Sequence, residues 1–226
     1  MASPTAQTSD VVVIGGGVAG LSTAMQLARR GRSVTVLERE RIGNGSTGRA
    51  AGLLGQLRGT PAATSMLIDG VQIVRDLEER ADVEIFVQTG SLRVAETPDR
   101  AREIVDLVEM GQAIGFDIDH LPREDVARLL PYMRTDDLLD ACYCPTDGHL
   151  QPAELAAAYQ QVGRENGVVF RQVCPVTGLD IDHGRVRGVG TPEGDIATDV
   201  VVNAAGPWVE SVVRSKLGLD AKEGVR

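Results

Sequence analysis

Residues 10–38 read D-V-V-V-I-G-G-G-V-A-G-L-S-T-A-M-Q-L-A-R-R-G-R-S-V-T-V-L-E, and this stretch decides the fold. The apolar run Val11 to Ile14 enters a glycine turn in which Gly15, Gly17 and Gly20 stand at G-x-G-x-x-G spacing, with Val18 and Ala19 between the last two. Leu21, Ala24, Met25, Leu27 and Ala28 then recur on one face of a helix that Gly31 ends. A second strand, Val34 to Leu37, delivers Glu38 eighteen residues after Gly20, followed by Arg39. Each part suits a dinucleotide. The first glycine permits the tight turn, the second lets the backbone approach a pyrophosphate, and the third lets helix and strand pack closely. Amides at the helix start, with the positive end of its dipole, hold the phosphates, and the acid accepts the ribose hydroxyls. Strand, turn, helix, strand and acid occur in order, which a bare glycine motif lacks.

Outside that unit the chain has no single decisive motif. It has 226 residues, 42% hydrophobic and 24% charged, as in a globular protein with a sizeable core. The net charge of −9 argues against nucleic acid or an anionic membrane as partner. No apolar run approaches the roughly 20 residues that cross a bilayer. The opening M-A-S-P-T-A-Q-T-S lacks the basic and apolar regions of a signal peptide and reads as a frayed tail. Cys142, Cys144 and Cys174 form neither a disulfide framework nor a paired metal spacing, so a reducing cytoplasm and no metal are expected.

Residues 39–60 are polar and glycine-rich, and 61–82 read as a helix opened by Pro61. A different region follows: strand-like runs at 83–87 and 91–95 joined by T-G, a helix from Pro98 to about Ile114, a short helix from Glu124 to Leu130, and a strand at 138–143. From about Gly148 the pattern changes again. A helix (Ala153 to Glu165) precedes short strands at 168–171, 175–181, 185–191 and 195–198, with turns at His183-Gly184 and Glu193-Gly194. Then D-V-V-V-N-A-A-G-P-W (199–208) forms an unbroken apolar strand, as in a parallel sheet covered on both faces, before a last helix from Pro207 to about Leu217. The expected fold is α/β: a Rossmann-like nucleotide-binding domain (1–82), an inserted α+β portion (83–147), and the resumed domain (148–226).

This arrangement resembles the FAD-dependent D-amino-acid oxidase superfamily, in its sarcosine oxidase, dimethylglycine dehydrogenase and glycine oxidase branch. Four stretches carry the resemblance: the fingerprint V-V-V-I-G-G-G-V-A-G-L-S-T-A, the strand end V-T-V-L-E-R-E, the loop S-T-G-R-A-A-G-L-L at 46–54, and D-V-V-V-N-A-A-G-P-W. The first two occur in many FAD and NAD proteins, and Glu38 suits either cofactor, so an NAD-dependent dehydrogenase stands as a rival. The last two together point to FAD.

The resemblance implies that the 46–54 loop passes beside the flavin, which implicates Ser46, Thr47, Arg49, Ala50, Ala51 and Gly52. In the dimethylglycine dehydrogenase type this loop reads S-T-W-H-A-A-G and its histidine is covalently bound to FAD. Arg49 stands in that place here, so the expected FAD is non-covalent at this loop. Val176 matches a valine whose backbone binds adenine, and Ala204, Ala205 and Gly206 match the strand end beneath the cofactor. The implied activity is oxidation of the C–N bond of a small amine or N-methyl amino acid, with hydride passing to the flavin and the imine then hydrolysed. Relatives continue well beyond the point matching Arg226. The chain is therefore expected to be truncated at its C-terminus, with two outcomes: an enzyme completed by a second chain, or a non-catalytic FAD-binding fragment or subunit.

Arg49 is the one catalytic candidate. It either binds a substrate carboxylate or tunes the flavin, or it is a solvated loop arginine. His149 reads as a loop residue without a catalytic role, and His120 and His183 as surface residues beside turns. Cys142 and Cys144 alternate on a strand as small core residues, and Trp208 reads as a packing anchor.

Overall fold

In a computed structural model, residues 7–210 and 212 are described. They form two compact units: 7–51 with 77–83 and the described residues from 152 on, and 52–76 with 84–151. Residues 52–76 thus cluster with the inserted region, not with the opening domain in which they were expected, and the insertion runs to Gln151 instead of 147. The expected last helix from Pro207 to about Leu217 lies mostly outside the described residues. Its start is a short 3-10 turn over Gly206–Trp208.

The first unit is layered around a four-stranded parallel sheet in the order Val169–Arg171, Val34–Leu37, Val11–Ile14, Val201–Asn203. Side chains alternate between its faces. Val11, Val13, Val34 and Val36 pack against Ala24 and Ala28 of the helix Val18–Ala28. Val12 and Leu37 point the other way, onto Cys174, Val189 and Ile196. That second face is covered by another sheet, Gln7–Thr8, Ile196–Ala197, Arg185–Gly190 and Gly178–Asp182. Both long central strands are therefore buried throughout, as their unbroken apolar runs require. The His183-Gly184 turn has φ of 49° and 74°, the left-handed pair that a tight two-residue hairpin demands.

Two elements depart from expectation. Gln7–Thr8, read as frayed tail, pairs with Ile196–Ala197. Val169–Arg171, read as one of a run of short strands, joins the parallel sheet beside Val34–Leu37.

The second unit holds two antiparallel three-stranded sheets. One is Leu53–Leu54, Gly148–Leu150 and Phe86–Gln88; the other is Ser91–Ala95, Asp140–Cys144 and Asp119–His120. The strand-like runs joined by T-G thus enter different sheets. Helix Pro98–Ala113 is started by the Thr97 side chain, which accepts from the Arg100 amide at 3.4 Å, with Pro98 in its first turn. Its Ile104, Leu107 and Val108 pack with Leu57, Phe116, Ile118, Cys142 and Cys144. Hydrogen bonding to Cys142 and then burial push the Cys144 thiol far up, while the same bond lowers Cys142; both are buried in this core, as their alternation suggests.

Fully buried Asp147 is a hub that the sequence did not disclose. Its Oδ1 accepts from the Gln56 amide at 2.8 Å and from Gln56 Nε2 at 3.2 Å, while Oδ2 accepts from the Ser91 hydroxyl at 2.6 Å. Asp147→Ala strands the buried Gln56 amide and the part-buried Ser91 hydroxyl, while Gln56 Nε2 keeps Thr146, and is expected to cost about 3 kcal/mol. Urea unfolding should show a lower midpoint at unchanged slope, with Ser91→Ala costing about 1 kcal/mol. Equal losses in the two variants would mean that the hub does not carry this energy.

Candidate functional site

The glycine turn begins where the second strand ends: the Gly15 amide donates to the Leu37 carbonyl at 2.8 Å. Gly15 has φ of 111°, and any side chain there would overlap the Ala204 carbonyl. Gly20 packs the helix onto its own turn, because a Cβ would overlap the Gly15 carbonyl oxygen and come within 3.3 Å of Val13 Cγ1. Gly17 differs. It is extended, at φ −82° and ψ 174°, and a Cβ there would meet only Thr47 Oγ1, at 3.2 Å. The space in front of Gly17 is open.

Helix Val18–Ala28 starts at Gly17 with no acidic residue in its first turn, so no side chain of the helix itself neutralises the positive end of its dipole. Among the described residues the Gly17 and Ala19 amides have no protein acceptor. The Val18 amide donates to Thr47 Oγ1 at 3.0 Å, leaving the Thr47 hydroxyl proton free to donate onward. Glu38 Oε2 accepts from Gly16 N at 2.7 Å and Oε1 from Glu40 N at 2.9 Å. Each carboxylate oxygen keeps a lone pair for a hydroxyl donor.

The 43–49 segment docks on the turn through the Gly43 amide, which donates to the Gly16 carbonyl at 2.9 Å. It closes on itself through Gly48 N to Gly43 O at 2.7 Å. Arg49 is exposed and has no ion pair among the described residues.

These pieces enclose a cleft of about 400 Å³. Of the residues singled out from sequence, Gly15, Gly17, Val18, Ala19, Glu38, Arg39, Ser46, Thr47, Arg49, Val176, Ala204, Ala205 and Gly206 line it. Gly20 stands behind the turn; Ala50 and Ala51 are not among the lining residues, and Gly52 belongs to the other unit. Asn44, Gly45, Cys174, Pro175 and Trp208 line it and were not singled out for this role. Cys174 follows the strand Val169–Arg171, its amide donating to the Glu38 carbonyl at 2.9 Å. Open amides at a helix start, a hydroxyl donor, an acid and a wall of small residues suit a diphosphate joined to a ribose.

The histidines lie elsewhere. His149 is not in a loop but on the middle strand of its sheet, between Leu53 and Val87. His120 is on a strand and pairs with Asp140 at 2.5 Å. Among the described residues no cluster of three or more acid, histidine or cysteine groups could hold a metal, and no helix is long and apolar enough to cross a membrane.

The family described as DAO, FAD dependent oxidoreductase, matches residues 10–226. Mitochondrial sarcosine dehydrogenase of Homo sapiens is 38% identical over 219 residues, covering 93% of this chain and 24% of that protein. The mitochondrial pyruvate dehydrogenase phosphatase regulatory subunit of Mus musculus is 30% identical over 217 residues, covering 95% and 24%. The crystal structure of L-proline dehydrogenase from P. horikoshii superimposes with a TM-score of 0.88 at 28% identity, over 96% of this chain and 58% of that one. The chain thus spans about a quarter of the length of the first two relatives, at 24% each.

Proposed function

Because the chain belongs to the DAO family of FAD-dependent oxidoreductases, we propose that its cleft holds FAD without a covalent link and serves oxidation of the C–N bond of a small amine or N-methyl amino acid. One observation carries the reading: the open Gly17 and Ala19 amides, the Thr47 hydroxyl and the Glu38 carboxylate line a single cleft. In this reading the amides and Thr47 bind the diphosphate, Glu38 accepts the ribose hydroxyls, and Val176 borders the adenine. Ala204, Ala205 and Gly206 are small enough for a flat ring to lie against them. When bound, FAD supplies the two-electron acceptor for the substrate's C–N bond. Arg49, at the cleft and without an ion pair among the described residues, offers a permanently charged fork to a substrate carboxylate. A guanidinium in its place also leaves no imidazole for covalent attachment.

Reconstitution tests the first link. Protein incubated with FAD and desalted should keep flavin absorbance, and denaturation should release all of it. No retained flavin would overturn the reading. Turnover of N-methylglycine or dimethylglycine with a dye acceptor tests the second link.

The similarity to a regulatory subunit favours one other reading, a subunit that binds FAD without turning over substrate. Flavin retained with no reduction by any secondary or tertiary amino acid would select it.

A further inference from the structure

Arg39 and Trp208 meet across the cleft. The guanidinium carbon lies 4.1 Å from the indole centroid, and the ring edge is so near Gly45 that a Cβ there would sit 3.6 Å from it. The stack joins two banks, since Arg39 follows Glu38 at the tip of the second strand and Trp208 follows the strand Val201–Asn203. All three residues line the cleft.

The contact is weakly held. Arg39 is about half exposed, and its ion pair among the described residues, to Glu40, is loose at 3.9 Å. A guanidinium over a part-exposed indole gains little, whereas paired hydrogen bonds to a phosphate are among the strongest a side chain makes. An anionic ligand arriving beside Glu38 therefore competes well for Arg39. The acid at this strand tip takes the ribose of the nucleotide, so the ligand part that reaches Arg39 is the ADP half, not the ring half.

We infer that Arg39 and Trp208 form a latch that the ADP half of a dinucleotide opens. The guanidinium exchanges the indole for the ligand's anionic groups, and the uncovered indole becomes part of the ligand's wall. This rests on the reading that the cleft holds FAD, and it gives Trp208 a role in binding where its sequence context suggests only packing.

The chain contains one tryptophan, so selective excitation reports Trp208 alone. The whole chain is titrated with ADP, which is optically silent in that range, and with FMN, while calorimetry follows binding independently. ADP is expected to give a saturable change in indole emission and a changed acrylamide quenching constant, and FMN neither. Arg39→Gln should already show altered emission without ligand, respond less to ADP, and bind it about tenfold more weakly. Arg39→Lys should keep part of the affinity but not the stack.

ADP that binds calorimetrically yet leaves emission and quenching unchanged overturns the latch while the nucleotide site stands. So does an undiminished ADP response in Arg39→Gln. Failure of both ADP and FAD to bind removes the nucleotide site and the latch together.

Discussion

Gly20→Ala is expected to abolish FAD binding and to destabilise the protein by about 3 kcal/mol. The added methyl would overlap a backbone oxygen, that of Gly15, and no side-chain rotation relieves a clash with backbone. The helix must back away from its turn, dragging the Gly17 and Ala19 amides out of line and opening the sheet face that Ala24 and Ala28 cover. Urea unfolding and a flavin titration measure the two effects. Gly17→Ala is the control. Its backbone is in a region any residue adopts, and a methyl there meets only Thr47 Oγ1 at 3.2 Å. That variant should stay folded and lose affinity alone, because the methyl occupies the space where the ligand comes closest. A stable, FAD-binding Gly20→Ala would show that close packing of helix on turn is not what fixes the amides.

Glu38→Gln is expected to weaken FAD binding about 100-fold, a loss of about 3 kcal/mol. The carboxylate has two tasks at once: it receives the Gly16 and Glu40 amides at 2.7 Å and 2.9 Å, and it faces the cleft with lone pairs to spare. A carboxamide presents one oxygen and one NH2, so one backbone amide must confront a donor. The turn loosens as the hydroxyl acceptor is lost. Glu38→Asp keeps the charge but is a methylene short, and should recover little. Fluorescence of bound against free flavin gives the constants. Glutamine binding FAD as tightly as glutamate would mean that the acid only shapes the turn.

The legible parts of this protein are those written in short spacings. Gly15, Gly17, Gly20 and Glu38 lie within one β-α-β unit, where chain geometry leaves few alternatives, and the structure brings all of them to one turn. Long-range pairings were harder. Val169–Arg171 carries no mark that separates a fourth parallel strand from the hairpins that follow it; only the finished sheet shows its partner. Gln7–Thr8 is too short to have a period at all. Asp147 sits in a T-D-G turn, where acids are ordinarily solvated, and its burial depends on Gln56 and Ser91 far away in the chain. Trp208 read as packing because a lone aromatic usually is, and the partner that changes its meaning, Arg39, comes from the opposite end of the sequence.

The Asp147 hub has an evolutionary corollary. It ties residue 56 to residue 147, ninety-one positions apart, and gathers Gly90, Ser91 and Thr146 into the same knot. From residue 84 to residue 146 the chain stays within the clasped unit, as a bag stays behind its drawstring. An exchange that spares Gln56, Ser91 and Asp147 spares the clasp, so relatives can differ between Ala95 and Asp140 without breaking it. Swapping residues 96–139 between relatives should yield folded chimaeras more often than a swap whose boundary falls inside the strand Ser91–Ala95.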